Sequence, residues 1–297
     1  MKNMAASVHD RLLRKAQAEG RPYEELQQLF ALERFLYRLA CSPYRDRFML
    51  KGALLLTAVS AVPTRATRDI DLLGLINNDP DQVASILQEM CTTPVTDDGL
   101  SFDAASITIA PITVEADYNG ARATFRGRLG TAVIPMQIDI GIGDAVFPEA
   151  EERILPVMLD FPAPALRCYP LETVIAEKLQ AIVSLGMVNS RLKDYYDVWL
   201  LAQHHDFESS RLGKSIQLTF QRRRTELVAD SQALSSEFAA VKARDWRAFL
   251  SRSRIEDAPH NLAAVIDDIL DFLGPLLHWL LEGAPLTHRW GAGGPWD

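Results

Sequence analysis

Two carboxylates two residues apart, Asp69 and Asp71, stand in the run Arg65-Ala66-Thr67-Arg68-Asp69-Ile70-Asp71-Leu72, and a third, Asp139, lies far downstream between Ile138 and Ile140. Alternate side chains of an extended strand share a face, so Asp69 and Asp71 would point the same way with α-carbons about 6.6 Å apart. Two ionised carboxylates about 4 Å apart repel by roughly 4 kcal/mol at an effective dielectric near 20, a cost that a bound cation removes. Magnesium, or manganese in its place, suits hard oxygen donors; it takes one or two protein carboxylates and leaves its other positions to water and substrate phosphates. A lone Asp-x-Asp also fits a solvated strand or turn, and Asp139 could be a strand-end cap. Between isoleucines, however, an acid is expensive unless it is paired or ligated.

A phosphate-binding element accompanies them. Phe48-Met49-Leu50 reads as a short buried strand, Gly52 as the break after Lys51, and Ala53 to Val59 as the start of a helix. The unpaired amides and positive dipole of a helix N-terminus favour an anion, and Lys51 adds charge; an ordinary tight turn is the plainer reading of Gly52. Arg65, Thr67 and Arg68 stand where they could touch a γ-phosphate or simply fix the loop.

Lys51-Gly52-Ala53 followed by Arg65-x-Thr67-x-Asp69-Ile70-Asp71 resembles the opening motifs of the AbiEii/AbiGii toxin family of nucleotidyltransferases. Gln137-Ile138-Asp139-Ile140-Gly141-Ile142-Gly143-Asp144 is similar to that family's third core strand and exit turn. Glu177-Lys178-Leu179-Gln180-Ala181 and Arg191-Leu192-Lys193-Asp194-Tyr195-Tyr196-Asp197 are similar to its lysine motif and closing Asp-x-x-Asp motif. The order fits over roughly residues 48–200. Ala53 and Leu54 replace the family's usual second glycine and small residue, which implies a less open phosphate-facing turn.

The resemblance implies an α/β (α+β) fold: a nucleotidyltransferase-superfamily mixed sheet with N-terminal helices, followed by a helical domain, with the chemistry between the halves. It implies that Asp69, Asp71 and Asp139 hold the metal and that Lys178 reaches the triphosphate, although Lys178 could instead pair with Glu172, Glu177 or Asp194. Asp194 and Asp197, three apart on one helix face, could orient Lys178 or support a metal or substrate hydroxyl, and Arg191 and Lys193 could contact phosphate. Tyr195, Tyr196 and Trp199 read as packing residues. The implied activity is transfer of a nucleoside monophosphate from an NTP to an acceptor hydroxyl, in a bacterial toxin–antitoxin or phage-defence pair. The acceptor would be the tRNA 3′ end, blocking translation, and a winged-helix antitoxin would be the partner. Modification of a protein, or nucleotide binding without turnover, are the alternatives.

The elements that must position these groups follow from periodicity. Helical spacing covers residues 5–19 and 23–41, ahead of a core read as strand 47–50, helix 53–60, strand 69–75 and helix 80–91. An antiparallel pair near 105–118 and 121–128, turned at Asn119-Gly120, and a strand at 132–141 complete it. A proline-bearing link runs from Pro148 to Pro164. Beyond it residues 171–185, 191–204, 209–228, 232–240, 245–252 and 260–282 are helical in spacing, no strong strand stands out, and Gly283 to Asp297 reads as a loose tail. The expected domains are 1–160 and 161–297.

Composition sets outer limits. The 297 residues can bury a substantial core, and no apolar run approaches a membrane span or signal peptide, so a soluble, cytoplasmic protein is expected. Cys41, Cys91 and Cys168 are scattered and lack any C-x-x-C spacing, which suggests reduced thiols. His204-His205 resemble a helix-end cap, not metal ligands. A net charge of −8 argues against a general nucleic-acid coat but allows a local RNA patch. Basic clusters lie at Arg11, Arg14 and Lys15, at Arg34, Arg38, Arg45 and Arg47, and at Arg211, Lys214 and Arg222-Arg223-Arg224; any one of them could equally be a solvated helix face.

Overall fold

A computed structural model describes residues 3–59, 67–112 and 120–297; Arg65, the predicted strand end at 113–118 and the turn residue Asn119 lie outside them. The chain divides into two compact units, one of Met1–Gly143 with Glu151–Cys168, the other of Asp144–Ala150 with Tyr169–Asp297.

In the first unit the order is α1 (Met4–Glu19), α2 (Tyr23–Cys41), β1 (Phe48–Lys51), α3 (Gly52–Val59), β2 (Ile70–Gly74), α4 (Pro80–Thr92), β3 (Leu100–Ile112), β4 (Gly120–Leu129), β5 (Ala132–Ile142), β6 (Glu151–Ile154) and β7 (Ala165–Cys168). The strands form one mixed sheet in the order β3-β4-β5-β2-β1-β7-β6, with β2 parallel to β5, β1 parallel to β7 and the other neighbours antiparallel. Alternation explains the layers: Ala121, Ala123, Phe125, Gly127 and Leu129 of β4 and Ile134, Met136, Ile138 and Ile140 of β5 are buried, and the residues that alternate with them are not. On the buried face Phe35 of α2 meets Phe102 and Phe125 at centroid distances of 5.4 and 5.3 Å. Truncating such a ring to alanine costs about 3–5 kcal/mol.

Two expectations fail in this unit. The stretch from Pro148 to Pro164 is not a plain link: it contains strand β6 and leads directly into β7. β6 is a charged four-residue edge strand and β7 is equally short, too brief to leave a period in the sequence. Arg34 and Arg38 do not form a surface cluster. Both are buried: Arg38 grips Asp98 at 2.8 and 3.0 Å, and Arg34 donates to Pro162 O. Their stems lie on the inner side of an α2 that is buried over much of its circumference.

The second unit contains α5 (Leu171–Leu185), α6 (Leu192–His204), β8 (Phe207–Glu208), α7 (Ser209–Arg222), α8 (Ser236–Ser253), α9 (Leu262–Glu282) and β9 (Arg289–Trp290). The predicted break between 240 and 245 is absent. Lys242-Ala243-Arg244-Asp245 interrupts the apolar spacing, yet most of these residues form helix well enough to carry α8 across. The loose tail is also overturned: β9 pairs with β8, Trp290 is buried, and Trp296 stacks on Phe272 with centroids 5.8 Å apart. Two indoles that donate to Ala202 O and Phe272 O outweigh the glycines around them. Among the described residues no helix is long and apolar enough to cross a membrane. The three cysteines are free thiols, and burial pushes Cys91 and Cys168 up to about 12.

Candidate active site

Strand register builds a charged row across one face of the first unit's sheet. Lys51 of β1 is the partner of Asp71 on β2, Asp71 is the partner of Asp139 on β5, and Asp139 is the partner of Arg122 on β4. Neighbouring strands are about 4.8 Å apart, so four side chains of sign plus, minus, minus, plus stand side by side. Asp69, one residue before β2, adds the third carboxylate. One oxygen from each of Asp69, Asp71 and Asp139 lies within 4.8 Å of the others, and all three residues are half-buried. Three hard oxygen donors this close fit a divalent cation.

Each acid is held separately. Thr67 Oγ1 donates to Asp69 Oδ1 at 2.5 Å, so this buried threonine fixes the carboxylate that follows it. Asp71 lies against the start of α3: a Cβ on Gly52 would come within 2.6 Å of Asp71 Cγ and overlap Oδ2. Gly52 also has φ +71°, a region that side chains disfavour, so glycine is required twice over. The helix N-terminus favours negative charge at that spot. Asp139 accepts a fork from Arg122, Nε to Oδ1 at 2.8 Å and Nη2 to Oδ2 at 2.6 Å, and Gln137 Nε2 donates to Oδ1 at 3.3 Å. Asp139 chiefly, with Asp69 and Asp71, pushes the Arg122 guanidinium above its ordinary range.

A second charged cluster lies within the helical unit. Lys178 of α5 donates to Asp197 Oδ2 at 2.5 Å and Asp194 Oδ1 at 3.1 Å on α6, and Arg191 Nε lies 2.7 Å from Asp194 Oδ2. Both carboxylates are buried and Lys178 is 11% exposed. Lys178 therefore takes the Asp194 partner foreseen as an alternative, and Asp197 as well. Glu177 joins Asp144, Tyr169 and Arg223, with the Arg223 guanidinium 3.4 Å from Glu177 and 3.6 Å from Asp144.

The remaining candidates are placed as follows. Lys51 and Ala53 are buried beside Gly52, while Arg68 and Lys193 are exposed. Tyr195, Tyr196 and Trp199 are buried packing residues; the Tyr195 hydroxyl donates to Ala233 O and the Trp199 indole to Asp268. Arg122 is the residue that sequence reasoning missed, yet a signal existed. Gly130-Thr131 is a two-residue turn pairing Leu129 with Ala132, and counting back along that register sets Arg122 opposite Asp139.

No curated protein matches the chain. The crystal structure of JHP933 from Helicobacter pylori is similar in fold, with a TM-score of 0.50 at 14% identity over 88% of this chain and 94% of that one. A second H. pylori crystal structure, described as a "putative nucleotidyltransferase", aligns at 16% identity and a TM-score of 0.45 over 88% of this chain and 96% of that one. Residues 34–271 match the family described as nucleotidyl transferase AbiEii toxin, type IV TA system. With most of its length inside that match, and with three convergent carboxylates on a mixed sheet, the chain belongs to the AbiEii nucleotidyltransferase toxin family of type IV toxin–antitoxin systems.

Proposed function

We propose that this nucleotidyltransferase moves a nucleoside monophosphate from an NTP onto the 3′-terminal hydroxyl of tRNA, using magnesium held by Asp69, Asp71 and Asp139, and thereby arrests translation. The observation that carries this reading is the convergence of the three carboxylate oxygens within 4.8 Å. Bound there, divalent cations stabilise charge on the attacking and leaving oxygens of an in-line displacement. The chain's own residues do the rest. Thr67 and Gly52 keep the Asp69 and Asp71 carboxylates in place, and Lys51 and the start of α3 at Gly52 and Ala53 favour a phosphate. Arg65 and Arg68 complete the nucleotide's phosphate contacts.

Lys178 is the triphosphate lysine, held by Asp197 and Asp194, and Arg191 and Lys193 are further phosphate contacts. The buried pairing of Lys178 with both acids supports a positioned ammonium, since a fixed point charge stabilises negative charge that grows on transfer. Family membership brings a cognate antitoxin, for which a winged-helix DNA-binding protein is the proposed form.

Incubation with each α-labelled NTP, magnesium and total RNA, followed by gel separation, tests the reading. Label on an RNA of tRNA size supports it. Label on polypeptide, with RNA unlabelled, replaces the acceptor with a protein, and absence of label from both overturns transfer.

A further inference from the structure

The outward side chains of β4 are Arg122, Thr124, Arg126 and Arg128, all exposed, on a strand whose inward residues are buried. Among the described residues, the flanking strands set one acid beside Arg122 and one beside Arg126. On β3 the partners are Ala110, Thr108, Asp103 and Ser101, and on β5 they are Asp139, Gln137, Pro135 and Val133. Arg126 reaches Asp103 at 3.1 Å and is still 56% exposed, while the register partners of Arg128 are the uncharged Ser101 and Val133. The Thr124 and Thr108 hydroxyls, 2.8 Å apart, hydrogen-bond to each other within the row. In a chain of net charge −8, three arginines in line on an open sheet face stand out from their surroundings.

The row begins at the carboxylates, because Arg122 is the register partner of Asp139. From there it runs six residues, about 20 Å at ~3.3 Å per residue, well beyond the reach of one nucleotide's triphosphate. Alternate residues on a strand repeat at a distance similar to that between successive phosphates of an extended single strand. Guanidinium forks recognise phosphate oxygens, and phosphate contacts set the register of a nucleic acid without reading its bases. A single file of cations on a flat strip suits one strand, not two.

We propose that the outer face of β4 is the acceptor track: a single-stranded RNA end lies along Arg128, Arg126 and Thr124 with its phosphates on the guanidinium groups and its terminal hydroxyl toward Asp139. This assignment rests on the reading that the enzyme transfers nucleotide to RNA. It places the acceptor on residues that belong to none of the basic clusters visible in the sequence.

Fluorescence anisotropy of a 5′-labelled ten-nucleotide single-stranded RNA, titrated with the full chain at several salt concentrations, tests it. The Arg126→Ala/Arg128→Ala variant should bind at least tenfold more weakly and lower the salt slope by about 1.4, at about 0.7 for each lost phosphate contact. Its melting temperature and Mn2+ affinity should match wild type. Arg126→Lys/Arg128→Lys should recover part of the affinity. Equal affinity and slope in wild type and the alanine variant, or no RNA binding by wild type, overturns the track. If wild type transfers label to RNA and the alanine variant does so equally well, the track fails and the transfer reading stands. If RNA binding depends on these arginines but no NTP labels RNA, the outer face of β4 stands as an RNA-binding strip, and the transfer reading, with the acceptor role built on it, fails.

Discussion

Asp71 and Asp139 face each other in register on the parallel strands β2 and β5, two like charges side by side in a sheet whose other face is apolar core. Like charges directly opposite each other destabilise a strand pair, by a few tenths to about 1 kcal/mol. Lys51 and Arg122, at the two ends of the same row, offset that repulsion. A parallel pair with a positive group on either flank is an arrangement that a cation completes.

Gly52 is predicted to be the least replaceable uncharged residue of the site. Gly52→Ala must push the Asp71 carboxylate aside and adopt a disfavoured φ, at a cost of about 1–3 kcal/mol. Mn2+ affinity should fall by about 10–100-fold, the range typical when the support of a metal ligand is lost. Isothermal titration with Mn2+, alongside a melting curve, checks this; wild-type affinity in the variant contradicts it.

Arg122 competes with a cation for Asp139. Arg122→Ala removes a positive charge that forks both Asp139 oxygens, so Mn2+ should bind several-fold more tightly, a gain of less than about 1.4 kcal/mol for this half-exposed group. RNA affinity should drop in the same variant, because one guanidinium of the β4 row is gone. Weaker Mn2+ binding would instead make Arg122 a support for Asp139.

Lys178 needs two variants. Lys178→Ala takes away the ammonium shared by two buried carboxylates, and breaking a buried pair costs about 3–5 kcal/mol. At roughly 2–4 °C per kcal/mol, its melting point should fall by about 10 °C. Lys178→Arg keeps the charge and should melt near wild type; loss of nucleotide transfer in that variant assigns the lysine a role in turnover. Retained transfer in the arginine variant reduces Lys178 to a positive charge of no special geometry.

Thiol chemistry separates the cysteines. Cys41 is exposed, while burial raises Cys91 and Cys168 to about 12. The attacking thiolate is therefore scarce at the two buried sites at pH 8, and it becomes more abundant as pH rises toward 12. A disulfide reagent at pH 8 should modify one thiol per native chain and three after denaturation. Rapid modification of two or three in the native state contradicts this burial.

Much of the core was legible because its signals are local. The Asp-x-Asp spacing, the Gly52 break and the long helical periods of α5, α6 and α9 come from residues close together in the chain. What the sequence hid depends on pairing at a distance. Arg122 meets Asp139 only through the Gly130-Thr131 turn, Arg38 meets Asp98 across sixty residues, and Trp290 and Trp296 anchor a tail whose glycines suggest looseness. β6 and β7, four residues each, carry too little alternation to declare themselves.

The central claim is that Asp69, Asp71 and Asp139 form one divalent-cation site. Electron paramagnetic resonance of Mn2+ titrated into wild type, Asp71→Asn and Asp139→Asn tests it most directly, with circular dichroism melts as the folding control. The account predicts saturable Mn2+ binding by wild type and at least tenfold weaker binding by each asparagine variant at an unchanged melting temperature. Equal Mn2+ affinity in all three proteins, or no Mn2+ bound by wild type, would contradict it.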